Sequence, residues 1–434
     1  MELLRILMLC LAAAIGLQAA PASPFQPGDR WCAVGDSITH TGFYHRYLYL
    51  FYATRFPGRQ IELFNCGLSG DTAAGTVART ESDILRYKPT VATIMLGMND
   101  VDHALYKEGL AAPDLQQRRD NAIASHAANM KRLAEKLQAA GTRLIFITPS
   151  IFDETAVMAR ANSPGVNAAL VRCAENTRKL AREFNAGIVD FHGPMGELNR
   201  RQQQADPRFT LIGEDRVHPG EPGHFAMAYW FLKAQGMPAT VADIAVDAAG
   251  KSAMAFTCQE EALPFPVPAA CAPALKLVPF MEELNQERLR IANLPAGTYK
   301  LAIDDEPIAS FTAAELEKGV NLALQTSTPQ YRQALAVAKL DEERHNLMKR
   351  LRVIDYVEWK MGRRLGDASE FDYAAAARKL IQDPQNAGWR TTQFEEYLKV
   401  KPMQTELQAQ LQRLVAEIRK ASQPGPHRFT IQRE

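Results

Sequence analysis

The feature that most constrains the fold of this chain is a series of short apolar runs that alternate with helical stretches between residues 31 and 235. Each run is too short for a helix and ends at a glycine, a proline or a polar turn residue. Strands of a parallel sheet that is covered on both faces have this continuous apolar character. We therefore predict a three-layer α/β/α sandwich with right-handed crossovers. The runs are residues 31–34, 61–64, 91–96, 144–148 and 187–191.

Helical stretches separate these runs. Apolar side chains recur at helical spacing in residues 122–139, and Gly141 follows as a residue typical of helix ends. Residues 166–184 repeat this periodicity, and residues 225–233 begin a further helix. The alternation predicts one α/β domain over residues 28–240.

The chain changes character after about Pro238. Residues 263–268 contain three prolines, which keep a backbone extended, and we predict a linker there. Alternating apolar positions in residues 297–311 predict a β-hairpin, and residues 331–418 have a charged helical pattern. We therefore expect a small β-rich domain at 241–327, a helical region at 328–422 and a tail at 423–434 where the ordered structure ends.

Composition and charge narrow the class of protein. The chain has 434 residues, of which 47% are hydrophobic and 23% charged, as in a soluble globular protein of two or three domains. The net charge of +1 and the absence of basic blocks interleaved with aromatic residues give no support for nucleic-acid binding.

The first residues resemble a targeting segment. Residues 6–17 form an apolar run behind Arg5, and small residues follow it. We predict a cleaved signal peptide at 1–22, so that the mature protein is secreted or periplasmic. An uncleaved anchor is the alternative, although the run is too short to span a bilayer, and we expect no stable membrane insertion.

The chain has 6 cysteines, of which Cys10 lies in the apolar N-terminal run. Export permits disulfides, and the candidate pairs are Cys32 with Cys66 and Cys258 with Cys271. Free buried thiols are the alternative for both pairs. The cysteine and histidine spacings are not those of metal sites, so we predict no metal and no cofactor.

Four short segments share one setting, in which an apolar run ends and a turn follows. They are Gly35-Asp36-Ser37-Ile38, Gly67-Leu68-Ser69-Gly70-Asp71-Thr72, Gly97-Met98-Asn99-Asp100 and Asp215-Arg216-Val217-His218. The carboxyl edge of a parallel sheet, where such runs end, is where ligands bind in these folds. Together the segments contain the groups that acyl transfer from an ester requires: a nucleophile, a base, a group that orients the base, and oxyanion donors.

Ser37 is the predicted nucleophile because it follows a strand at this edge, although a serine here can also act only as a helix cap. His218 is the predicted base. Asp215 lies three residues before it in the same turn-rich loop, and its carboxylate would fix the imidazole tautomer. His224 is the rival base, but it lacks a carboxylate at this spacing.

The predicted oxyanion donors are the backbone N–H groups of Ser37 and Gly70 and the side-chain amide of Asn99. Plain turn chemistry is the alternative for Gly70 and Asn99 when each is taken alone. The residues expected to line the cleft are Asp36, His40, Asp71 and Asp100, with a structural role as the alternative for His40.

These blocks resemble the SGNH branch of the GDSL hydrolases. The family's marks correspond to Ser37 in Gly-Asp-Ser, Gly70 in Ser-Gly-Asp-Thr, Asn99 in Gly-Met-Asn-Asp and His218 in Asp-x-x-His-Pro. The resemblance spans residues 28–240 and implies a flavodoxin-like catalytic domain that hydrolyses carboxylic esters or thioesters without metal. Many relatives have leucine where this chain has Ile38. The second half is similar, more weakly, to the C-terminal region of larger secreted bacterial members.

The sequence thus predicts an exported serine esterase that removes acetyl or other short acyl groups from carbohydrate through a Ser37 acyl-enzyme. The carbohydrate substrate follows only from the resemblance and from export. A lipase, lysophospholipase or thioesterase is the alternative within this chemistry, and a non-catalytic glycan-binding protein is the alternative outside it. The expected partner is a small ester or an acylated glycan, and the oligomeric state stays open.

Overall fold

The computed structural model describes residues 20–365, 372–383 and 388–434. The predicted signal peptide at 1–22 lies outside the described residues except for its last three positions. The chain divides into two compact units. The first unit comprises the described residues up to Thr41 together with Glu62–Met237, and the second comprises Gly42–Ile61 and Pro238–Glu434. The second unit therefore includes a segment that lies within the predicted domain 28–240.

A six-stranded parallel sheet forms the centre of the first unit. Its strands are β1 (Ala20–Pro21), β2 (Arg30–Gly35), β3 (Glu62–Gly67), β4 (Val91–Met95), β5 (Arg143–Ile147) and β6 (Gly187–Val189). The strand order is β1-β6-β5-β4-β2-β3, and all neighbours are parallel. The five strands predicted from the apolar runs are confirmed, and their order is that of flavodoxin-like folds.

Helices cover this sheet, as the sequence predicts for an α/β sandwich. Their bounds are Ser37–Thr41, Ala73–Ala78, Leu115–Ala139, Val166–Glu183, His192–Gln203 and Glu221–Ala234. Shorter turns of helix cover Thr80–Ile84, Leu85–Tyr87 and His103–Tyr106.

One apolar core joins the sheet to the helices. Val34, Ile94 and Phe146 from the three central strands are buried with Met130 and Leu133 of the helix Leu115–Ala139. Burying one such side chain contributes about 1.5–3 kcal/mol to folding, so this core holds the strand ends rigidly. The loops that follow those ends are therefore well positioned.

The second unit contains two further sheets. Its strands are β7 (Thr240–Asp247), β8 (Ala253–Gln259), β9 (Gln286–Ala292), β10 (Thr298–Ile303), β11 (Glu306–Thr312), β12 (Val320–Asn321) and β13 (Pro426–Arg433). One sheet has the order β11-β10-β13-β8, and the other has the order β12-β9-β7. The antiparallel pair β10 and β11 confirms the predicted hairpin.

The helices of the second unit include most of the predicted helical region. Their bounds are Phe43–Arg55, Phe280–Leu284, Ala313–Lys318, Pro329–Leu365, Tyr373–Ile381, Trp389–Val400 and Gln404–Ala421, with short 3₁₀ turns at Ala269–Lys276, Leu322–Leu324 and Lys401–Met403.

Two predictions for the second half are wrong. The tail at 423–434 does not end the order, because β13 lies between β10 and β8 and buries Phe429 and Ile431. The proline-rich segment 263–268 is not a free linker either. Phe265 is buried, and its backbone N–H and C=O both bond to the Asn285 side chain. In both cases the partner lies far away in the sequence.

Neither candidate disulfide is present, because the five described cysteines are free thiols. Cys32 lies opposite Phe64 in the β2–β3 pair. Phe64 is two residues before Cys66 on β3. From the rise along a strand and the spacing between strands, the Cα atoms of Cys32 and Cys66 are roughly 8 Å apart. A disulfide does not span that distance. Cys258 and Cys271 likewise remain thiols.

Candidate active site

The four segments meet at the carboxyl end of the sheet in the first unit. Ser37 begins a helix directly after β2, and the turn between them needs Gly35. A Cβ atom at that position would lie 2.2 Å from Thr39 Oγ1 and 2.8 Å from the Met95 carbonyl oxygen. The Leu68 N–H donates to the Gly35 carbonyl at 3.0 Å and so ties the loop after β3 to the end of β2.

Ser37, His218 and Asp215 form one chain of hydrogen bonds. Ser37 Oγ lies 2.7 Å from His218 Nε2, and His218 Nδ1 lies 2.5 Å from Asp215 Oδ2. The other oxygen, Asp215 Oδ1, accepts the backbone N–H groups of Val217 and His218 at 3.0 and 2.9 Å. This arrangement allows the imidazole to take a proton from the serine hydroxyl while the carboxylate fixes its tautomer.

Two opposing effects act on the Asp215 carboxyl. Partial burial raises its pKa, but the hydrogen bonds from the backbone and imidazole of His218 outweigh that effect, and the net pKa is lowered. Asp215 is therefore ionised at neutral pH and can stabilise an imidazolium cation at His218.

Arg216 holds this loop in place, and sequence analysis missed it because the Asp-x-x-His pattern specifies only its first and last residues. Its backbone is left-handed, with φ of 68°, and its side chain is buried. The guanidinium donates to the carbonyl oxygens of Asp153 at 2.8 Å, Ala156 at 3.2 Å and Arg160 at 3.0 Å. The Asp153 N–H donates back to the Arg216 carbonyl at 3.1 Å. These bonds fix the loop that carries the imidazole.

The predicted oxyanion donors lie on the loops after β2, β3 and β4. Gly70 is left-handed, with φ of 72°, a conformation that favours glycine. The Asn99 side-chain amide donates one N–H to the Asp71 carbonyl at 2.9 Å, which leaves its second N–H for another acceptor. Ser37 is the first residue of its helix, so its N–H has no acceptor within that helix.

The acidic residues predicted to line the cleft act mainly as supports for the loops around it. Asp36 accepts the Ile38 N–H at 3.0 Å, and burial raises the pKa of Asp36 to about 6. Asp100 accepts the Ala73 N–H at 2.9 Å, and burial raises the pKa of Asp100 to about 7. Asp71 is buried in an ion pair.

His40 is buried as well and has a supporting position. Its Nδ1 accepts the Ser69 N–H at 3.2 Å and lies 2.8 Å from Ser69 Oγ. Its backbone carbonyl accepts the Asn65 side-chain amide at 2.9 Å. The rival base His224 is buried in the helix Glu221–Ala234, and it is His218 that reaches Ser37.

Neither a metal site nor a membrane-spanning helix occurs in the part of the chain that the structure describes. In ranges 20–365, 372–383 and 388–434, no group of three or more histidine, cysteine or acidic side chains is arranged to hold a metal ion. None of the helices in those ranges has the length and apolar character needed to cross a membrane.

Comparison with known proteins shows the family to which this chain belongs. Residues 33–226 match the model of the GDSL-like Lipase/Acylhydrolase family. A solved gut microbial diltiazem-metabolizing enzyme is 30% identical, with a TM-score of 0.88, and the match covers 95% of this chain and 99% of that one. The chain is an SGNH/GDSL hydrolase. An acetylxylan esterase from Geobacillus stearothermophilus is 25% identical over 228 residues, which are 48% of this chain and 94% of that protein.

Family membership confirms the resemblance drawn from the four blocks and makes this SGNH/GDSL hydrolase a carboxylic ester hydrolase. The family model ends within the first unit, whereas the solved relative matches nearly the whole chain. The second unit is therefore part of an architecture that at least one other enzyme has.

Proposed function

We propose that this SGNH/GDSL hydrolase is an exported serine esterase that removes acetyl or other short acyl groups from carbohydrate. The observation that carries the reaction type is the chain of hydrogen bonds from Ser37 Oγ to His218 Nε2 at 2.7 Å and from His218 Nδ1 to Asp215 at 2.5 Å. Such a chain activates a serine hydroxyl, which is otherwise a weak nucleophile.

In the proposed mechanism Ser37 Oγ attacks the ester carbonyl carbon while His218 Nε2 takes the hydroxyl proton. The carbonyl oxygen becomes an oxyanion, which accepts hydrogen bonds from the N–H groups of Ser37 and Gly70 and from the Asn99 amide. His218 then gives its proton to the leaving alcohol, and an acyl-enzyme remains. A water molecule that His218 deprotonates cleaves the acyl-enzyme and regenerates Ser37.

The names of two relatives suggest two classes of substrate, and one of them supports an acetyl group. One relative is an acetylxylan esterase, which favours an acetylated carbohydrate as substrate. The other metabolizes diltiazem and matches more of this chain, which favours a small-molecule ester as the second candidate. The two candidates differ in the molecule that carries the acyl group.

A lipase or lysophospholipase has less support. Such an enzyme is expected to expose a contiguous apolar patch near its nucleophile. In the described part of the first unit only three large apolar side chains are well exposed, namely Leu110, Val157 and Val171. The non-catalytic alternative has less support too, because Ser37, His218 and Asp215 retain a competent geometry.

The reaction type is tested with wild type and Ser37→Ala on p-nitrophenyl acetate. We expect turnover by wild type and near-background rates for the variant. Equal, near-zero turnover by both proteins would contradict the esterase proposal. Activity on p-nitrophenyl esters should fall as the acyl chain lengthens, and rates that rise with chain length would instead favour a lipase.

A second experiment identifies the alcohol part of the ester substrate. Acetate release is measured from acetylated xylan, other acetylated glycans and diltiazem, each with wild type and Ser37→Ala. Release from a glycan at a kcat/KM well above that for diltiazem is the expected result. The reverse order would replace the carbohydrate with a small-molecule ester.

Export is tested by locating the protein in fractionated cells and by sequencing its mature N-terminus. Ala20 and Pro21 pair with Gly187 and Ile188 of β6, and Ala22 is buried. A cut before Ala20 retains this edge strand, whereas a cut after Ala22 removes it. Full-length protein in the cytoplasm would contradict export.

A further inference from the structure

We propose that Arg79 is a positioning residue for ester cleavage. Its guanidinium holds the carboxylate of Asp71, the residue that follows Gly70 and whose carbonyl binds Asn99, and so it fixes these two oxyanion donors. This inference rests on the proposed serine esterase mechanism. Arg79 lies outside the four sequence blocks, and its side chain is wholly buried.

The Arg79 guanidinium is surrounded by acceptors. Its Nε donates to Asp71 Oδ2 at 2.7 Å, its Nη1 bonds to Asp83, and its Nη2 lies 3.4 Å from Thr76 Oγ1. Thr76 Oγ1 donates to the same Asp71 oxygen at 2.8 Å. A buried cation is tolerated only when its partners are well placed, so this network has one strongly preferred geometry.

Asp71 connects that network to the oxyanion donors. It directly follows Gly70, and its N–H donates to the Leu68 carbonyl at 3.0 Å, which closes the turn. Its carbonyl oxygen accepts the Asn99 amide at 2.9 Å. The residue whose carboxylate is held by Arg79 therefore also anchors Asn99. Displacing a catalytic group by about 1 Å can reduce a rate about a hundredfold.

The local backbone explains why Arg79 reaches two carboxylates. The helix Ala73–Ala78 ends just before it, and a π turn, Thr80–Ile84, follows. The Asp83 N–H donates to the Arg79 carbonyl at 2.9 Å, so Asp83 lies one helical turn after Arg79 and its side chain bonds to Nη1 of the guanidinium. Single π turns are frequent at functional sites.

Charge gives a second reason for the role of Arg79. Asp36, Asp71 and Asp100 are near enough to interact electrostatically, and the charge of Asp71 contributes to the raised pKa values of the other two carboxyls. Arg79 is the cation paired with Asp71. Without it, an unbalanced carboxylate would lie beside the place where negative charge develops in the transition state, and like charges repel.

The test compares Arg79→Met and Thr76→Val with wild type. Thr76→Val removes the second donor to Asp71 Oδ2 with almost no change in shape, so it keeps the test valid if Arg79→Met does not fold. For p-nitrophenyl acetate we expect kcat to fall about 10–100-fold in Arg79→Met and less in Thr76→Val, with KM changed little. Affinity for a trifluoromethyl ketone, which mimics the tetrahedral intermediate, should fall by the same factor as kcat/KM.

A double-mutant cycle with Asn99→Ala shows whether Arg79 acts through the oxyanion donors. We expect the effect of Arg79→Met on kcat to shrink to a few-fold in the Asn99→Ala background, because coupled residues are not additive. Arg143→Met is the matched control. It removes an ion pair with Asp29, 2.6 Å long, at the opposite end of the sheet, and it should lower the melting temperature without lowering kcat.

Labelling of Ser37 by a fluorophosphonate separates this inference from the proposed function, because it needs the activated serine and the oxyanion donors but no known substrate. Slower labelling of folded Arg79→Met and Thr76→Val supports the role of Arg79. Labelling and kcat equal to wild type in a folded variant, or an undiminished effect in the Asn99→Ala background, would overturn it. A wild type that neither labels nor turns over esters would overturn both proposals together.

Discussion

A buried pair of carboxyl groups in the second unit should make its stability depend on pH. Glu287 on β9 is fully buried, and Glu260, just after β8, is 4% exposed. The two carboxyl groups are close enough to interact electrostatically, and the Gln330 amide donates to Glu260 Oε1 at 2.6 Å. Two buried carboxylates repel each other, so we expect the pair to hold one proton in the folded state.

Burial raises the pKa of both glutamates, and the nearby charge of Glu260 raises that of Glu287 further, well above its usual 4.5. The unfolded chain releases this proton at about the usual value, whereas the folded chain keeps it. The stabilisation is therefore complete below about pH 4.5 and is lost as the pH rises towards the folded pKa. Over that interval each pH unit removes about 1.4 kcal/mol of unfolding free energy.

Glu287→Gln tests this reasoning, since an amide of the same shape donates to Glu260 at every pH. Urea unfolding of wild type and variant, followed by circular dichroism from pH 4 to pH 9, gives the free energy at each pH. We expect the wild type to lose up to about 1.4 kcal/mol per pH unit more than the variant above pH 4.5. Glu282→Gln, which changes an exposed carboxyl of the same unit, should follow wild type. Parallel curves for wild type and Glu287→Gln would refute the shared proton.

Three further outcomes can be checked with simple variants or reagents. Asp215→Asn should lower kcat by about 10³–10⁴-fold with little change in melting temperature, because the imidazole loses its orienting carboxylate; a loss below tenfold would contradict that role. Arg216→Met should reduce the unfolding free energy by about 3 kcal/mol in urea titrations, since buried carbonyl oxygens lose their donor; a change within 0.5 kcal/mol, roughly the scatter of neutral surface variants, would show that the loop does not need it. Reducing agent should leave the melting temperature unchanged, and Cys32 and Cys66 should react with a thiol reagent after denaturation without prior reduction; a requirement for reduction would indicate a disulfide.

The fold and the site of the first unit were largely predictable because short segments of the sequence determine them. A parallel strand buried on both faces is a short apolar run wherever it occurs, and the residue after it lies at the carboxyl edge of the sheet. Ser37, Gly70 and Asn99 could thus be assigned to one site from three separate segments. Asp215 and His218 were predictable as a pair because three residues of one loop present both side chains to the same place.

The residues that support the site were not predictable in this way. Arg79 and Arg216 bind partners through their side chains, and neither stands at a position that its neighbours in sequence mark as special. Arg79 becomes important because its guanidinium is buried between the carboxylates of Asp71 and Asp83. Arg216 reaches carbonyl groups in a loop about sixty residues earlier.

The sequence alone determined the reaction chemistry and the α/β core, since both follow from residue types and spacings within short segments. Only the tertiary structure decided which segments of the second half are ordered and which charges are buried. The prolines at 424 and 426 predict a tail, and the segment from Pro426 becomes an inner strand only when β8 and β10 pair with it. Glu260 and Glu287 look like ordinary surface glutamates until two strands bring them together. The physical reason is the same for β13 and for the two glutamates. Their burial and pairing depend on partners that are distant in the chain, and residue type and local spacing cannot indicate those partners.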